Sequence, residues 1–120
     1  NAMAHATGLT DLPPEPLEGL HGALLVYPYC GVASLSDEMG WRFWPRTIAI
    51  VAGRDRIVGT RRPLQVLESL NARGGAIDVR LFEEATHSFD EPEAIDLRVR
   101  FSPERRDEAL ALLSALAISA

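Results

Sequence analysis

The chain has 120 residues, of which 47% are hydrophobic and 24% charged, a balance typical of one globular domain and unlike that of a disordered chain. Its formal net charge of −5 argues against nucleic acid as a general partner, because phosphate binding requires a basic face. No run approaches the roughly 20 apolar residues of a membrane-spanning helix, and we expect a cytoplasmic protein without a membrane partner.

The first residues precede the folded part of the chain. Asn1 and Ala2 stand before Met3 and are interpreted as the remnant of a cleaved tag (residues 1–2). Residues 3–21 are rich in proline and glycine, which predicts a loose N-terminal arm. We expect residues 22–120 to form a single α/β domain.

Two apolar runs predict buried strands. Residues 23–27 are continuously apolar, as in a strand of a parallel sheet that is covered on both faces, and Pro28 should end it. Residues 47–52 form a second run that is rich in β-branched side chains and closed by Gly53.

A helix and a third strand follow. Pro63, Val66, Leu67 and Leu70 have the spacing of one helix face, and the glycines of "ARGG" should end that helix. In residues 77–81, Ile77, Val79 and Leu81 alternate with polar residues, as in a half-exposed strand.

The last part of the chain contains a repeat and a helix. "AIDLRVRF" (residues 94–101) nearly repeats "AIDVRLF", which predicts an antiparallel hairpin between the two segments. Ser102 should be the N-cap of a closing helix that begins at Pro103. One face of that helix is apolar and comprises Ala109, Leu112, Leu113 and Leu116.

This order of elements predicts an α/β fold with a three-stranded, mostly parallel sheet and flanking helices. Ligands of such sheets bind outside the carboxyl ends of the strands, where Asp55 follows the second strand and His87 the third. A carboxylate that binds one imidazole nitrogen fixes the tautomer and leaves the other nitrogen as a base. The alternative is that His87 is an ordinary packing or surface histidine.

Three stretches carry a family resemblance. "LVYPYC", "IAIVAGRDRIV" and "LFEEATHSFDEP" resemble the last three core strands of the dienelactone hydrolase family, a branch of the α/β-hydrolases, over residues 22–117. The resemblance implies the C-terminal half of an α/β-hydrolase fold, with Asp55 as the triad acid and His87 as the base. It also implies carboxylic-ester hydrolysis, with a small ester or lactone as substrate.

The sequence departs from that family at the nucleophile. The family places a serine or cysteine in a G-x-[SC]-x-G turn before the acid and the base, and no such pattern occurs here. Ser34 and Ser36 lack the flanking glycines. Cys30 follows a strand end and is a candidate nucleophile, although a lone cysteine there is more commonly a small buried hydrophobe.

Two functions therefore stay open. The chain is either the acid and base half of an esterase, inactive alone and completed by a separate N-terminal half, or a non-catalytic dimerisation or binding module derived from a hydrolase. We expect a homodimer through the exposed edge of strand 23–27, or a separate partner half at that edge.

The sequence also bears on metals, cofactors and anions as ligands. Three scattered histidines lack the spacing of a metal site, so we expect neither a metal nor a cofactor. Arg54, Arg56, Arg61 and Arg62 either pair with carboxylates or form an anion site for an acidic substrate.

Overall fold

The computed structural model describes residues 21–31 and 46–118. The elements are the strands β1 (Gly22–Val26), β2 (Arg46–Ala52) and β3 (Ile77–Phe82), and the helices α1 (Arg61–Ala72) and α2 (Pro103–Ile118). The predicted arm up to residue 20, and the connector that contains Ser34 and Ser36, lie outside the described residues.

The three strands form one parallel sheet in the order β1-β2-β3. Gly22 pairs with Arg46, and Thr47 pairs with Ile77, so that all three strands run in the same direction. The predicted α/β class and the three predicted strands are confirmed. Because the strands are parallel, their carboxyl ends meet at one edge of the sheet.

Each face of the sheet is covered by one helix. Alternate β2 residues point to opposite faces, so this strand contacts both helices. Ala49 and Val51 pack against the apolar face of α1. Ile50 and Ala52 face the other way and pack in a second cluster with Ala109 of α2. Residues 47–52 of β2 are therefore all buried, as the continuous apolar run predicts.

Helix α1 buries the predicted face, namely Pro63, Val66, Leu67 and Leu70. Its C-terminal end is joined to the next strand by Asn71, whose amide donates to the Ile77 carbonyl and accepts from the Ile77 N–H, each at 2.9 Å. Gly74 has a φ of 98°, a conformation that favours glycine and turns the chain away from the helix.

Helix α2 begins as predicted. Ser102 Oγ accepts the Arg105 N–H at 3.3 Å, and Pro103 is the first helical residue. Ala109 and Leu116 are buried and Leu112 packs against the core, but Leu113 is 49% exposed, so the predicted apolar face is too wide by this residue.

The predicted antiparallel hairpin between residues 94–101 and β3 is wrong, because residues 94–101 form no strand. The chain instead turns at Asp96, whose carbonyl accepts the Val99 N–H and whose carboxylate accepts the Arg98 N–H. Thr86 Oγ1 accepts a hydrogen bond from the Arg100 N–H at 2.7 Å. These local bonds occupy the N–H groups of Arg98, Val99 and Arg100, which are then not free to pair in a strand.

The predicted homodimer, or the predicted partner half, would bind at the outer edge of β1. Within the described residues, β1 pairs only with β2, on its other side. That association stays a prediction. In the part of the chain that the structure covers, neither helix has the length and apolar character to cross a membrane.

Candidate active site

Asp55 lies three residues beyond the end of β2 and is 7% exposed. Its Oδ1 accepts the N–H groups of Ile57 and Val58, both at 2.8 Å. These two bonds close a turn around the carboxylate and fix its orientation. The second oxygen, Oδ2, remains available to the neighbouring loop.

Backbone contacts attach the loop that carries Asp55 to the loop that carries His87. The Gly53 N–H donates to the Phe82 carbonyl at 2.8 Å, and the Arg54 N–H donates to the Ala85 carbonyl at 2.9 Å. The approach is so close that a Cβ on residue 53 would lie 2.2 Å from the Glu83 carbonyl oxygen. Glycine is therefore required at this position for the two loops to meet.

His87 and Asp55 form the predicted pair. His87 Nδ1 lies 2.9 Å from Asp55 Oδ2, although 32 residues separate the two along the chain. The Asp55 side chain is 1% exposed and the His87 side chain 19%. A carboxylate can only accept, so Nδ1 carries the proton and Nε2 is left as an acceptor. This arrangement holds an imidazole ready to take a proton.

Tyr27, which we did not predict as a site residue, supports the imidazole from the end of β1. Its ring centroid lies 4.3 Å from that of His87, with the planes tilted by 51°. Its hydroxyl donates to Asp90 Oδ1 at 3.0 Å. Its backbone φ is 41°, a strained conformation for a residue with a side chain.

The electrostatic surroundings of Tyr27 favour its neutral form. Burial of the phenol raises its pKa, and the hydrogen bond to Asp90 and the negative charge of that carboxylate raise it further. The sequence contained a partial signal for this residue, since Tyr27 is the last residue of the predicted strand 23–27 and therefore lies at the edge of the sheet to which Asp55 and His87 were assigned.

The structure does not bring Cys30 to this pair. Cys30 is 0% exposed and packs in the cluster on the α1 side of the sheet, with Ala49, Val51 and Leu67. Tyr27 belongs to the cluster on the other side. Cys30 thus has the surroundings of a small core residue, and a buried thiol does not meet a substrate in this conformation.

A groove of about 420 Å³ adjoins Asp55. We call it the arginine groove, because four of its lining residues are Arg54, Arg56, Arg98 and Arg100; the others are Asp55, Thr86 and Leu97. Arg54 and Arg56, two of the four arginines for which the sequence left open ion pairing or an anion site, thus lie together here. An acidic substrate in this groove stays a prediction.

No three His, Cys, Asp or Glu side chains within residues 21–31 and 46–118 are grouped so as to hold a metal ion. Comparison of the chain with family models, with curated proteins and with solved structures finds no match. The resemblance to the dienelactone hydrolases therefore stays a prediction that depends on the residues quoted above.

Proposed function

We propose that this chain supplies the acid and the base of an esterase-type triad, as a dienelactone-hydrolase-like half, and that a separate polypeptide supplies the nucleophile. The observation that carries the proposal is the 2.9 Å contact between His87 Nδ1 and Asp55 Oδ2 at the carboxyl edge of a parallel sheet. A half-buried imidazole held by a buried carboxylate has the geometry of a general base.

In the proposed reaction, His87 Nε2 takes the proton of the nucleophile's hydroxyl or thiol as the nucleophile attacks the ester carbonyl carbon. Asp55 stabilises the resulting imidazolium. When the tetrahedral intermediate collapses, Nε2 returns this proton to the leaving alkoxide, and an acyl intermediate remains on the nucleophile. Nε2 then deprotonates a water molecule that attacks the acyl carbon, and the same proton passes back to the nucleophile, which is released with the acid product.

The partner half has to supply two parts of this machinery. The first is the nucleophile on a G-x-[SC]-x-G turn, and the second is the N–H donor that stabilises the oxyanion. The chain has no such pattern, and Cys30 is buried. We therefore expect the isolated chain to be inactive toward ordinary esters and lactones.

The reactivity of His87 is testable without the partner, because an accessible imidazole attacks an activated ester such as p-nitrophenyl acetate by itself. We expect the slow release of p-nitrophenol to fall several-fold in His87→Gln. The exposed His21 offers a matched control, and His21→Gln should lower the rate less than His87→Gln, because Asp55 makes the His87 imidazole the better nucleophile. Equal rates for the two variants would contradict the role of His87.

A fluorophosphonate probe tests where the nucleophile comes from. Peptide mapping by mass spectrometry should find no stoichiometric adduct on the isolated chain. In a complex purified from its source, the adduct should lie on the G-x-[SC]-x-G residue of the partner, and His87→Gln should abolish it. An adduct on Cys30, Ser34 or Ser36 of the isolated chain would show that the nucleophile is not supplied in trans.

One observation favours the second candidate, a non-catalytic dimerisation or binding module. Ile95 and Leu97 are almost completely exposed beside the arginine groove, as expected of a contact surface. If His87→Gln retains all reactivity and no partner co-purifies, this second function is the better account of the chain.

A further inference from the structure

Residues 88–101 form a loop, called here the exposed loop, whose two ends are held by hydrogen bonds. The Arg100 N–H donates to Thr86 Oγ1 at 2.7 Å, and the Ser102 N–H donates to the Phe89 carbonyl at 2.8 Å. Between these bonds the backbone makes one turn from Ser88 to Glu91 and another from Asp96 to Val99. The exposed loop thus has a defined shape that it holds with its own hydrogen bonds.

The middle of the exposed loop presents apolar side chains to solvent. Ile95 is 97% exposed and Leu97 is 102% exposed, so neither side chain packs on the described part of the chain. A single exposed apolar residue is ordinary. Two such residues, placed two positions apart on a hydrogen-bonded loop with charges on both sides, form a small exposed apolar centre.

The charges of the exposed loop change sign across this apolar centre. Asp90, Glu91 and Glu93 precede it and are exposed. Arg98 and Arg100 follow it and line the arginine groove, to which Arg54 and Arg56 contribute from the neighbouring loop.

Part of this charge forms no ion pair within residues 21–31 and 46–118. Asp96 pairs with Arg98, but Glu91, Glu93, Arg56 and Arg100 make no ion pair among the described residues. The Glu91 carboxylate accepts the Glu93 N–H at 3.2 Å. Charges of both signs that form no ion pair in the described part of the chain therefore lie on either side of an exposed apolar centre.

We propose that the exposed loop and the arginine groove together form the contact surface for a second copy of this chain. A two-fold interface joins the same patch of each copy, so the patch must be complementary to itself. Rotation about an axis near Ile95 and Leu97 places the acidic side of each loop in the arginine groove of the other copy. The apolar centres meet at the axis, and carboxylates pair with guanidinium groups on both sides.

This dimer is separate from the proposed function and from the predicted homodimer at β1. It does not use the outer edge of β1, and His87 does not line the arginine groove, although Asp55 does. The contact is small, and interfaces below about 1,200 Å² are typical of weak association. The dimer should therefore be salt-sensitive and require high protein concentration.

Sedimentation equilibrium on the full chain tests the proposal. At about 1 mM protein, which a weak contact of this size requires, the natural chain should be largely dimeric in roughly 20 mM salt. It should dissociate in roughly 500 mM salt, where the screening length is only a few ångströms. A natural chain that stays monomeric in low salt at this concentration would overturn the proposal.

A charge-swap pair identifies the surface. Arg56→Glu/Arg100→Glu and Glu91→Arg/Glu93→Arg should each be monomeric, because each brings like charges together at both symmetric contacts. Mixed in equal amounts, the two variants should form a heterodimer, since both contacts then join opposite charges. If each variant alone still dimerises like the natural chain, the contact lies elsewhere, for example at β1, and the proposal is wrong.

The apolar centre is tested by Leu97→Ser, which should weaken dimerisation by about tenfold or more, as for a central interface residue. Ile118→Ser is the matched control, because Ile118 is 84% exposed on α2 outside this surface, and it should leave dimerisation unchanged. Equal effects of the two substitutions would overturn the proposal.

Circular dichroism should show that every variant is folded, and Arg56→Gln/Arg100→Gln replaces the glutamate variant if that chain unfolds. Phosphate, titrated at constant ionic strength, distinguishes a small anion from a second copy. Phosphate that binds the arginine groove of a chain that never dimerises would overturn the proposal.

Discussion

The Asp55 carboxylate divides its hydrogen bonds between its two oxygens. Oδ1 accepts two backbone N–H groups of its own turn, and Oδ2 accepts His87 Nδ1. One oxygen therefore fixes the position of the side chain, and the other fixes the tautomer of the imidazole. Because the carboxylate is buried, water does not compete for these hydrogen bonds.

The substitution Asp55→Asn should separate these two tasks. The asparagine carbonyl can still accept the two backbone N–H groups, but its NH₂ group then faces His87 Nδ1. Nδ1 must become the acceptor, and the imidazole proton moves to Nε2. Nitrogen-15 spectra of the imidazole should show the changed tautomer, and the reaction with p-nitrophenyl acetate should fall to the level of His87→Gln.

The control for this substitution is Asp78→Asn, since Asp78 is a partly exposed carboxylate that pairs with Arg80 away from the site. It should leave the His87 spectrum unchanged. In an assembled enzyme, Asp55→Asn should lower kcat by about 10²-fold or more, the usual contribution of a positioned base. An unaltered tautomer in Asp55→Asn would contradict the assigned hydrogen bond.

The pH dependence of Tyr27 gives a second test at this scale. Its pKa is raised from 10.0, first by burial and then by Asp90. The unfolded chain therefore ionises first as the pH rises, and the stability that this group contributes is present below about pH 10 and lost as the pH passes the folded pKa. Absorbance of tyrosinate should show one tyrosine that titrates above pH 10.

Asp90→Asn removes the third cause of that shift, the negative charge, and weakens the second, because an amide oxygen still accepts the Tyr27 hydroxyl; burial, the first cause, remains. The Tyr27 step should consequently move to lower pH without returning to the ordinary value. Glu93→Gln, which changes an exposed carboxylate of the same loop, is the control and should have a smaller effect. A Tyr27 titration that is the same in Asp90→Asn would contradict the effect of the Asp90 charge on the Tyr27 pKa.

At the scale of elements, the site depends on the close approach of the loops that follow β2 and β3. Gly53→Ala should separate the two loops, because the added Cβ would lie 2.2 Å from the backbone oxygen of Glu83. The expected loss of stability is about 1–3 kcal/mol, as for other overpacked positions. Urea unfolding measures this loss, and the His87–Asp55 hydrogen bond should weaken in the same variant.

Ala76→Gly is a useful comparison for that experiment, since it changes one methyl group at an exposed residue before β3. It should shift the unfolding midpoint little and leave the His87 spectrum intact. If Gly53→Ala is as stable as the natural chain and keeps the hydrogen bond, the close approach of the loops does not constrain residue 53.

Strand and helix periodicity predicted most of the elements, because packing on two covered faces leaves a clear pattern. The α1 face and the meeting of Asp55 with His87 followed from it. Residues 94–101 have the period of a strand, but hydrogen bonds of Asp96 and Thr86 bend the segment, and these depend on contacts that periodicity does not report.

The sequence was also uninformative about which side of the sheet the residues after β1 would occupy. Tyr27 and Cys30 lie three positions apart, yet one packs with the α2 cluster and the other with the α1 cluster. The chain turns at Tyr27 with a positive φ before Pro28. Beyond such a turn, the alternation of the strand no longer determines the direction of a side chain.

On the scale of the whole molecule, the outer edge of β1 is where another chain could extend the sheet. The Tyr27 N–H donates to the Ile50 carbonyl, so residues 25 and 27 face β2. The alternate residues Leu24 and Val26 therefore turn their N–H groups outward. Amide exchange should therefore be slow at Leu25 and fast at Leu24 and Val26 in dilute protein.

Addition of a partner half, or a dimer at this edge, should protect Leu24 and Val26 without changing Leu25. The charge-swap variants that abolish the loop contact should retain this behaviour. If the outward amides are protected at every dilution, the edge is covered within one chain, and neither predicted association at residues 23–27 takes place.

The parallel order of the sheet also governs how the chain reaches its folded state. Gly22 pairs with Arg46 and Thr47 with Ile77, so no two strands can meet as a local hairpin. Each pairing must first close a long segment of chain, which slows folding relative to proteins rich in local contacts. The His87 Nδ1 proton should thus be among the last signals to appear on refolding, later than the helical signal of α1.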